Sequence, residues 1–226
     1  MCSSDLGIAL IRRLWQGEKV TFAGRSFSLR NAALSVRPAH PVPIYLAGWG
    51  PAMLRIAGQL CDGYLARALE SPASCRRLVG AVRAAATAAG RPSGAVDVAA
   101  YVLCAVSADR AAARAAMRRD PFVLYQFAVI DEGVLRESGV DPEVKRRIAG
   151  PFWRGDLEGA SREVSDALLD EFALAGTADD VIVRLGAYAE AGVRLPILQP
   201  IATAEPEVRR VIDVGGEFAG SRAAAD

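Results

Sequence analysis

Short apolar segments alternate with amphipathic helical segments along most of the chain. Largely apolar segments at 44–47, 64–66, 96–106 and 195–199 are each followed by apolar residues at helical spacing. Buried strands that alternate with helices are typical of a parallel sheet, and we expect the run at 44–47 to be buried on both faces. The sequence therefore predicts an α/β protein. Periodicity alone fits either an open doubly wound sheet or part of a (β/α)8 barrel.

Two regions do not follow this alternation. An amphipathic helix and a short β-hairpin precede the first buried strand, and the helical pattern is not continued by residues 1–6. Residues 121–174 contain several helical pieces with no strand between them, which predicts a helical insertion. We therefore expect one domain at 7–219, an unrelated stretch at 1–6 and a frayed tail at 220–226.

Charge and hydropathy exclude several classes of partner. The chain has 27 Lys and Arg residues against 26 Asp and Glu, a formal net charge of +1. No nucleic-acid partner is expected, because such proteins concentrate a basic surplus on one face. No apolar run approaches the roughly 18–20 residues that span a bilayer, and the first residues do not resemble a secretory signal. We therefore expect no membrane partner and a cytoplasmic location.

The residues that most often perform hydrolysis or bind zinc are sparse. His40 is the only histidine and lies in a proline-rich linker, which disfavours a Ser-His-Asp or Cys-His mechanism. The cysteines have no metal-ligand spacing, and we expect reduced thiols in the core and no metal site. Adjacent carboxylates on helices point apart, as at Asp170 and Glu171, so they do not form an acid–base pair. No catalytic residue is assigned. The cysteines are Cys2, Cys61, Cys75 and Cys104.

The clearest site signal follows the first buried strand. Ala47, Gly48, Trp49, Gly50 and Pro51 form a glycine-rich turn into a helix. Glycine lets backbone approach a ligand, and proline presets the first helical turn. Because no acidic residue follows in that turn, the positive end of the helix dipole would suit a phosphate. An ordinary tight turn uses glycine for the same steric reasons, so both interpretations stay open.

Two long polar side chains, Arg67 and Gln199, lie at the carboxyl ends of predicted strands, where α/β proteins bind ligands. Arg67 would pair with an anionic substrate or cofactor tail, or form a surface salt bridge. A nicotinamide-binding open sheet is a further possibility, since Gly48 and Gly50 begin a dinucleotide fingerprint and Arg67 suits a 2′-phosphate. Met53 stands where that fingerprint has its third glycine.

Several motifs together resemble the luciferase-like flavin- and deazaflavin-dependent oxidoreductases. Residues 11–25 (IRRLWQGEKVTFAGR) are similar to a helix and hairpin of that family. Residues 41–58 (PVPIYLAGWGPAMLRIAG) and 61–63 (CDG) resemble its fifth strand, the next helix and the turn into strand six. Residues 175–181 (AGTADDV) and 191–193 (AGV) resemble its last helix–strand connection. The details are most similar to the coenzyme F-420 branch, which includes methylenetetrahydromethanopterin-reductase-like enzymes.

The resemblance implies a (β/α)8 TIM barrel, represented here by its C-terminal half. The four predicted strands would be strands five to eight, with the helical insertion after strand seven. Family members place the backbone of the turn after strand five against the cofactor's phosphate, which implies a cofactor-binding role for residues 47–51. The implied reaction is hydride transfer with the deazaflavin coenzyme F-420, or monooxygenation of a small-molecule substrate with reduced FMN.

A full barrel needs eight strands and about 250 residues, and this chain supplies four of those strands. The resemblance therefore predicts a truncated reading frame, whose exposed sheet edge favours a homodimer or aggregation. Two alternatives from other classes stay open. One is a half-barrel that dimerises to bind a phosphate-bearing ligand without catalysis, and the other is the NADP-binding open sheet.

Overall fold

A computed structural model of the protein describes residues 3–223. Its internal contacts divide the chain into two compact units. One unit comprises Met1–Tyr64 and Ala81–Asp97, and the other comprises Leu65–Gly80 and Val98–Asp226. In the described part of the chain, no helix is both long enough and apolar enough to span a bilayer.

The first unit begins with a helix and a hairpin. Helix α1 is Ser3–Trp15, and the antiparallel strands β1 (Val20–Ala23) and β2 (Ser28–Ala32) follow it. The hairpin prediction is confirmed. Residues 3–6 belong to α1, so the prediction that they do not continue the helix is wrong, and residues 1–2 lie outside the described residues. Asp5 lies in the first turn of α1, where an acid is favoured by the dipole, so this stretch is a polar helix start without apolar periodicity.

Strand β3 (Tyr45–Ala47) leads into helix α2 (Pro51–Leu60). The expected burial of this strand on both faces is wrong, because Tyr45 and Leu46 are half-buried and Ala47 is exposed. The side chain of Leu46 packs against a small cluster of Ile8, Ile56 and Cys61. A cluster of that size covers only part of the strand.

The next elements continue the alternation of strand and helix. They are β4 (Gly63–Ala66), α3 (Pro72–Ala88), β5 (Asp97–Val106) and α4 (Arg110–Arg119). The interior of β5 is almost wholly buried, as expected for a central strand of a parallel sheet. The sequence predicted each of these strands to within a residue or two at its ends.

The insertion is helical, as predicted. It consists of five helices: α5 (Pro121–Val129), α6 (Glu132–Glu137), α7 (Glu143–Trp153), α8 (Leu157–Arg162) and α9 (Asp166–Phe172). Its largest buried side chains pack on those of β5 and α4 in one hydrophobic cluster. Phe127 and Phe172 meet there edge to face, with ring centroids 6.2 Å apart. The insertion therefore folds onto the second unit's own core.

The chain ends with β6 (Leu174–Gly176), α10 (Ala178–Glu190), β7 (Leu195–Pro200) and α11 (Glu205–Ala223). The sequence did not predict β6, which is too short to show a period. Helix α11 extends to Ala223, so residues 220–223 are helical in the structure, and the fraying expected there stays a prediction. Residues 224–226 of the predicted tail lie outside the described residues.

The strands form a sheet in the order β3-β4-β5-β6, and β7 also pairs with β5. Within the second unit, β5 pairs in parallel with β6 at Cys104–Val106 and with β7 along Ala99–Cys104. The carboxyl ends of these parallel strands point the same way. The predicted α/β class with a parallel sheet is therefore confirmed.

Candidate functional site: an open helix N-terminus and a buried ion pair

The turn between β3 and α2 leaves a helix N-terminus open. Gly50 is the N-cap residue, with φ 89° and ψ 160°, a conformation that is essentially restricted to glycine. Apart from Gly50 itself and its chain neighbours, no heavy atom lies within 4 Å of the position that a Cβ of Gly50 would occupy. Pro51 takes the first helical position, no side chain caps the helix, and its first turn contains no acid. Pro51 has no N–H, and the N–H of Met53 donates to the carbonyl oxygen of Gly50 over 3.1 Å. The N–H of Ala52 is therefore the first helical N–H without a partner among the described residues.

A buried tyrosine holds this turn from within the first unit. The hydroxyl of Tyr64 donates a hydrogen bond of 2.6 Å to the carbonyl oxygen of Gly48. Tyr64 is 2% exposed, so its ring position is fixed by packing. Because one carbonyl of the turn is bound, the backbone on either side has little freedom. No pattern in the sequence indicates this contact, since Tyr64 is predicted only as a residue of a buried strand.

Asp62 fixes the start of β3, the end opposite the glycine-rich turn. Its Oδ2 accepts hydrogen bonds of 2.8 Å from the N–H of Ile44 and from the guanidinium of Arg12. Gly63 lies against the ring of Tyr45, where a Cβ would come within 2.2 Å of ring carbons. The Cys-Asp-Gly motif therefore contacts the start of β3. The turn at the carboxyl end of β3 stays accessible.

The two ends of α2 differ in charge. The Arg91 guanidinium donates to the carbonyl oxygens of Gly58 and Cys61 at the C-terminal end, over 2.6 and 2.8 Å. A cation at this end stabilises the helix dipole. The N-terminal end carries no complementary acid in its first turn. A bound anion would supply the missing negative charge at the N-terminal end of α2.

Trp49 gives the turn an exposed aromatic surface. Trp49 is 71% exposed, although an indole usually buries most of its area. Ala47 is also exposed, whereas Pro51 opens the helix beside them. All five predicted turn residues therefore form one accessible segment of the first unit, with apolar and backbone surface and no charged side chain.

Arg67 lies in the second unit, just after β4. Its Nε donates to Oε1 of Glu70 over 2.8 Å, so it forms the ion pair that the sequence left open as one alternative. The partner is unusual for a surface pair, because the Glu70 side chain is only 5% exposed. Glu70 is a candidate functional residue that sequence reasoning missed. A glutamate near the start of a helix is normally predicted to be a solvent-exposed acid that stabilises the helix dipole, so the sequence pattern does not mark Glu70 as buried.

Gln199 also lies in the second unit, in β7. Its Oε1 accepts a hydrogen bond of 2.6 Å from the Tyr101 hydroxyl, and its Nε2 donates to the carbonyl of Pro200 over 2.9 Å. Burial raises the pKa of Tyr101, which keeps the hydroxyl protonated as a donor. Among the described hydrogen bonds, none joins Gln199 to Arg67, so the structure places these two side chains in separate networks.

The described cysteines are core residues. Cys61, Cys75 and Cys104 are buried and free, as predicted, and Cys2 lies outside the described residues. Burial raises the pKa of Cys75 and of Cys104 to about 12, so neither thiol is a ready nucleophile.

The adjacent carboxylates point apart, as predicted. Asp170 pairs with Arg114, whereas Glu171 lies 3.6 Å from Arg184. Each acid therefore serves a different ion pair, and the two do not share a site.

Sequence comparison identifies the family. The family model described as "Luciferase-like monooxygenase" matches residues 8–195. The 5,10-methylenetetrahydromethanopterin reductase of Methanolobus tindarius is 35% identical over 82% of this chain and 56% of that protein. The enzyme of the same name from Archaeoglobus fulgidus is 33% identical over 82% of this chain and 56% of that protein. The chain thus spans about half the length of these relatives.

Solved structures support the same fold. The coenzyme F420 dependent tetrahydromethanopterin reductase from Methanopyrus kandleri superposes with a TM-score of 0.78 at 25% identity, over 89% of this chain and 57% of that one. An F420-dependent secondary alcohol dehydrogenase in complex with an F420-acetone adduct has a TM-score of 0.67 at 22% identity. That match covers 95% of this chain and 59% of that one.

Proposed function

The chain belongs to the luciferase-like monooxygenase family. We propose that it is a coenzyme F-420-dependent oxidoreductase, represented here by a truncated chain, and that residues 47–51 bind the cofactor's phosphate. The observation that carries this proposal is the open N-terminus of α2, with Gly50 at φ 89° and no side-chain cap. The relatives that match most of this chain are named 5,10-methylenetetrahydromethanopterin reductase, and one solved neighbour is described as coenzyme F420 dependent.

The turn residues fit a phosphate group. A Cβ at Gly50 would meet no atom within 4 Å, so there is room for a ligand beside the backbone. Unsatisfied N–H groups at a helix start, with the positive dipole end behind them, bind phosphate oxygens. The exposed indole of Trp49 adds apolar surface beside that position. Ala47, Gly48, Trp49, Gly50 and Pro51 would therefore hold the cofactor through backbone and packing contacts.

When bound, the deazaflavin supplies a ring carbon that accepts or gives a hydride, which is chemistry that no side chain provides. The chain's own residues bind and orient. The Tyr64 hydroxyl holds the Gly48 carbonyl and so fixes the direction of the turn. Arg67 and Gln199 in the second unit would contact an anionic group of a small-molecule substrate or of the cofactor tail. No proton donor or acceptor is assigned.

We assign β3, β4, β5 and β7 to strands five to eight of a (β/α)8 barrel, with helices α5–α9 as the insertion after strand seven. The strand order and the 56% coverage of the reductases support this assignment. Strand β3 stands at one end of the strand order, and Ala47 in it is exposed. A strand at the end of a sheet is a template for pairing with another chain, so we propose a homodimer. Light scattering after size exclusion tests this, since a monomer would overturn the dimer.

Ligand titration followed by tryptophan fluorescence tests the cofactor. We expect saturable quenching by F-420 that reports on Trp49 and is lost in Trp49→Phe. Tighter binding of FMN than of F-420 would instead favour the reduced-FMN monooxygenase. Saturable binding of NADP without a response to either flavin would overturn the assignment and favour the nicotinamide-binding alternative.

A further inference from the structure

A buried carboxylate lies against Arg67 in the loop after β4. The Arg67 side chain is 29% exposed, whereas its partner Glu70 is 5% exposed. Oε1 of Glu70 accepts the Nε hydrogen bond, but Oε2 is buried and has no hydrogen-bond partner among the described residues. Removing a carboxylate from water for a single ion pair is costly. A buried polar atom without a partner is uncommon and calls for an explanation.

The loop that carries Glu70 is held on several sides. The buried hydroxyl of Tyr188 donates to the Glu70 carbonyl over 2.9 Å. The next residue, Ser71, is fully buried and accepts a hydrogen bond of 2.7 Å from the Ser138 hydroxyl. Leu69, which is buried, has φ 59°, a value that few residues other than glycine adopt. These contacts fix the backbone from which the Glu70 carboxylate projects.

The ion pair occupies only one edge of the Arg67 guanidinium. The contact runs through Nε, and neither Nη1 nor Nη2 donates to another described residue. A guanidinium presents its donors in a rigid planar fork that matches a carboxylate or phosphate. With Nε fixed by Glu70, the orientation of the two Nη groups is set before any ligand arrives.

We propose that Glu70 is a positioning residue, which holds Arg67 ready to bind an oxyanion, either a carboxylate or a phosphate. The oxyanion belongs to the substrate or to the cofactor tail. This inference rests on the proposed function only for the identity of that molecule. Glu70 does not contact the ligand and acts through Arg67.

Two substitutions separate positioning from charge. Glu70→Gln removes the negative charge but keeps an oxygen that can accept from Nε, so anion affinity should stay equal or rise. Glu70→Met keeps the size and removes the acceptor, so Arg67 is released to sample other rotamers. In this variant, anion binding must restrict the freed Arg67 side chain to one rotamer, which costs conformational entropy. Anion affinity should therefore fall by roughly two- to tenfold. A role of charge alone predicts tighter binding in both variants.

The test follows the Nε–H resonance of Arg67 by NMR while inorganic phosphate or acetate is added to the whole chain. We expect a saturable shift in the wild type, an equal or lower Kd in Glu70→Gln, and a higher Kd in Glu70→Met. The matched control is Glu18→Gln, because Arg13 Nε also lies 2.8 Å from Glu18 but both side chains are largely exposed. That change should leave the Arg67 titration unaltered.

Two results would overturn the proposal: no shift of the Arg67 resonance with either anion in the wild type, or unweakened binding in Glu70→Met. A titration with F-420 then separates the sources. If F-420 blocks the phosphate response, the cofactor tail supplies the anion; if phosphate still binds, the substrate supplies it. A response to phosphate without any binding of F-420 would keep this inference and refute the proposed function.

Discussion

Helices α2 and α10 both begin directly after a short strand of the sheet, yet their N-termini are built in opposite ways. In α10, Thr177 accepts from the N–H of Asp180, and the Asp180 carboxylate accepts from the N–H of Thr177, which is a complete capping box. In α2, Gly50 provides no side-chain cap, and Pro51 has no N–H to satisfy.

The same contrast holds for charge. Asp179 and Asp180 lie in the first turn of α10, and Arg110 pairs with Asp180. The first turn of α2 has no acid, although Arg91 binds carbonyls at its other end. Where a helix start contributes only to stability, side chains of the same helix accept hydrogen bonds from its first N–H groups. Where a helix start binds an anion, those N–H groups remain available to the ligand. We assign α10 to the first kind and α2 to the second.

Gly50→Ala should break the open helix start and give the largest effect. Alanine does not tolerate φ 89° with ψ 160°, so the turn must relax and its N–H groups lose their alignment. We expect F-420 affinity to fall by roughly tenfold, measured by fluorescence titration. Gly90→Ala is the control, since Gly90 also has positive φ, 73°, and open space around its Cβ position. Equal losses in both variants would contradict a special role for Gly50.

Ala52→Asp should make α2 resemble α10. An acid in the first turn stabilises the helix by about 0.3–1 kcal/mol through its dipole. The same charge repels a bound phosphate, so cofactor affinity should fall by roughly three- to tenfold. Urea unfolding and ligand titration measure these opposite effects, with Ala52→Asn as the uncharged control. Higher stability without weaker binding would place the phosphate elsewhere.

Thr177→Ala should open the N-terminus of α10 and lower stability alone. Loss of a threonine cap costs about 1 kcal/mol, which lowers Tm by roughly 2–4 °C in a chain of this size. We expect F-420 affinity to stay unchanged, because this helix start binds no anion in our account. Calorimetry and the same fluorescence titration provide both measurements. Weaker cofactor binding in this variant would remove the distinction between the two helices.

The capping box of α10 should also make a small contribution that depends on pH. The backbone N–H of Thr177 lowers the pKa of Asp180 from its ordinary value of 3.8, and Arg110 lowers it further. The folded state therefore favours the carboxylate, and its stabilisation is complete above pH 3.8 and is lost as pH falls through the lowered pKa. Asp180→Asn should reduce this acid dependence in urea unfolding. If the free energy of unfolding of this variant depends on pH as in the wild type, the capping box makes no such contribution.

Local patterns were enough to predict α2 and α10 and the turn at residues 47–51. Gly50, Pro51 and Thr177 act on their sequence neighbours, so their roles follow from spacing. The Tyr64 contact to Gly48 and the burial of Glu70 depend on how distant segments pack, which no period in the sequence encodes. The incomplete burial of β3 has the same origin, since it depends on what covers the strand.

An NMR titration of the backbone amides with F-420 tests the central claim most directly. Our account predicts saturable shifts at the N–H groups of Trp49, Gly50 and Ala52, none at the start of α10, and their loss in Gly50→Ala. Saturable F-420 binding that leaves these three amides unshifted would contradict it.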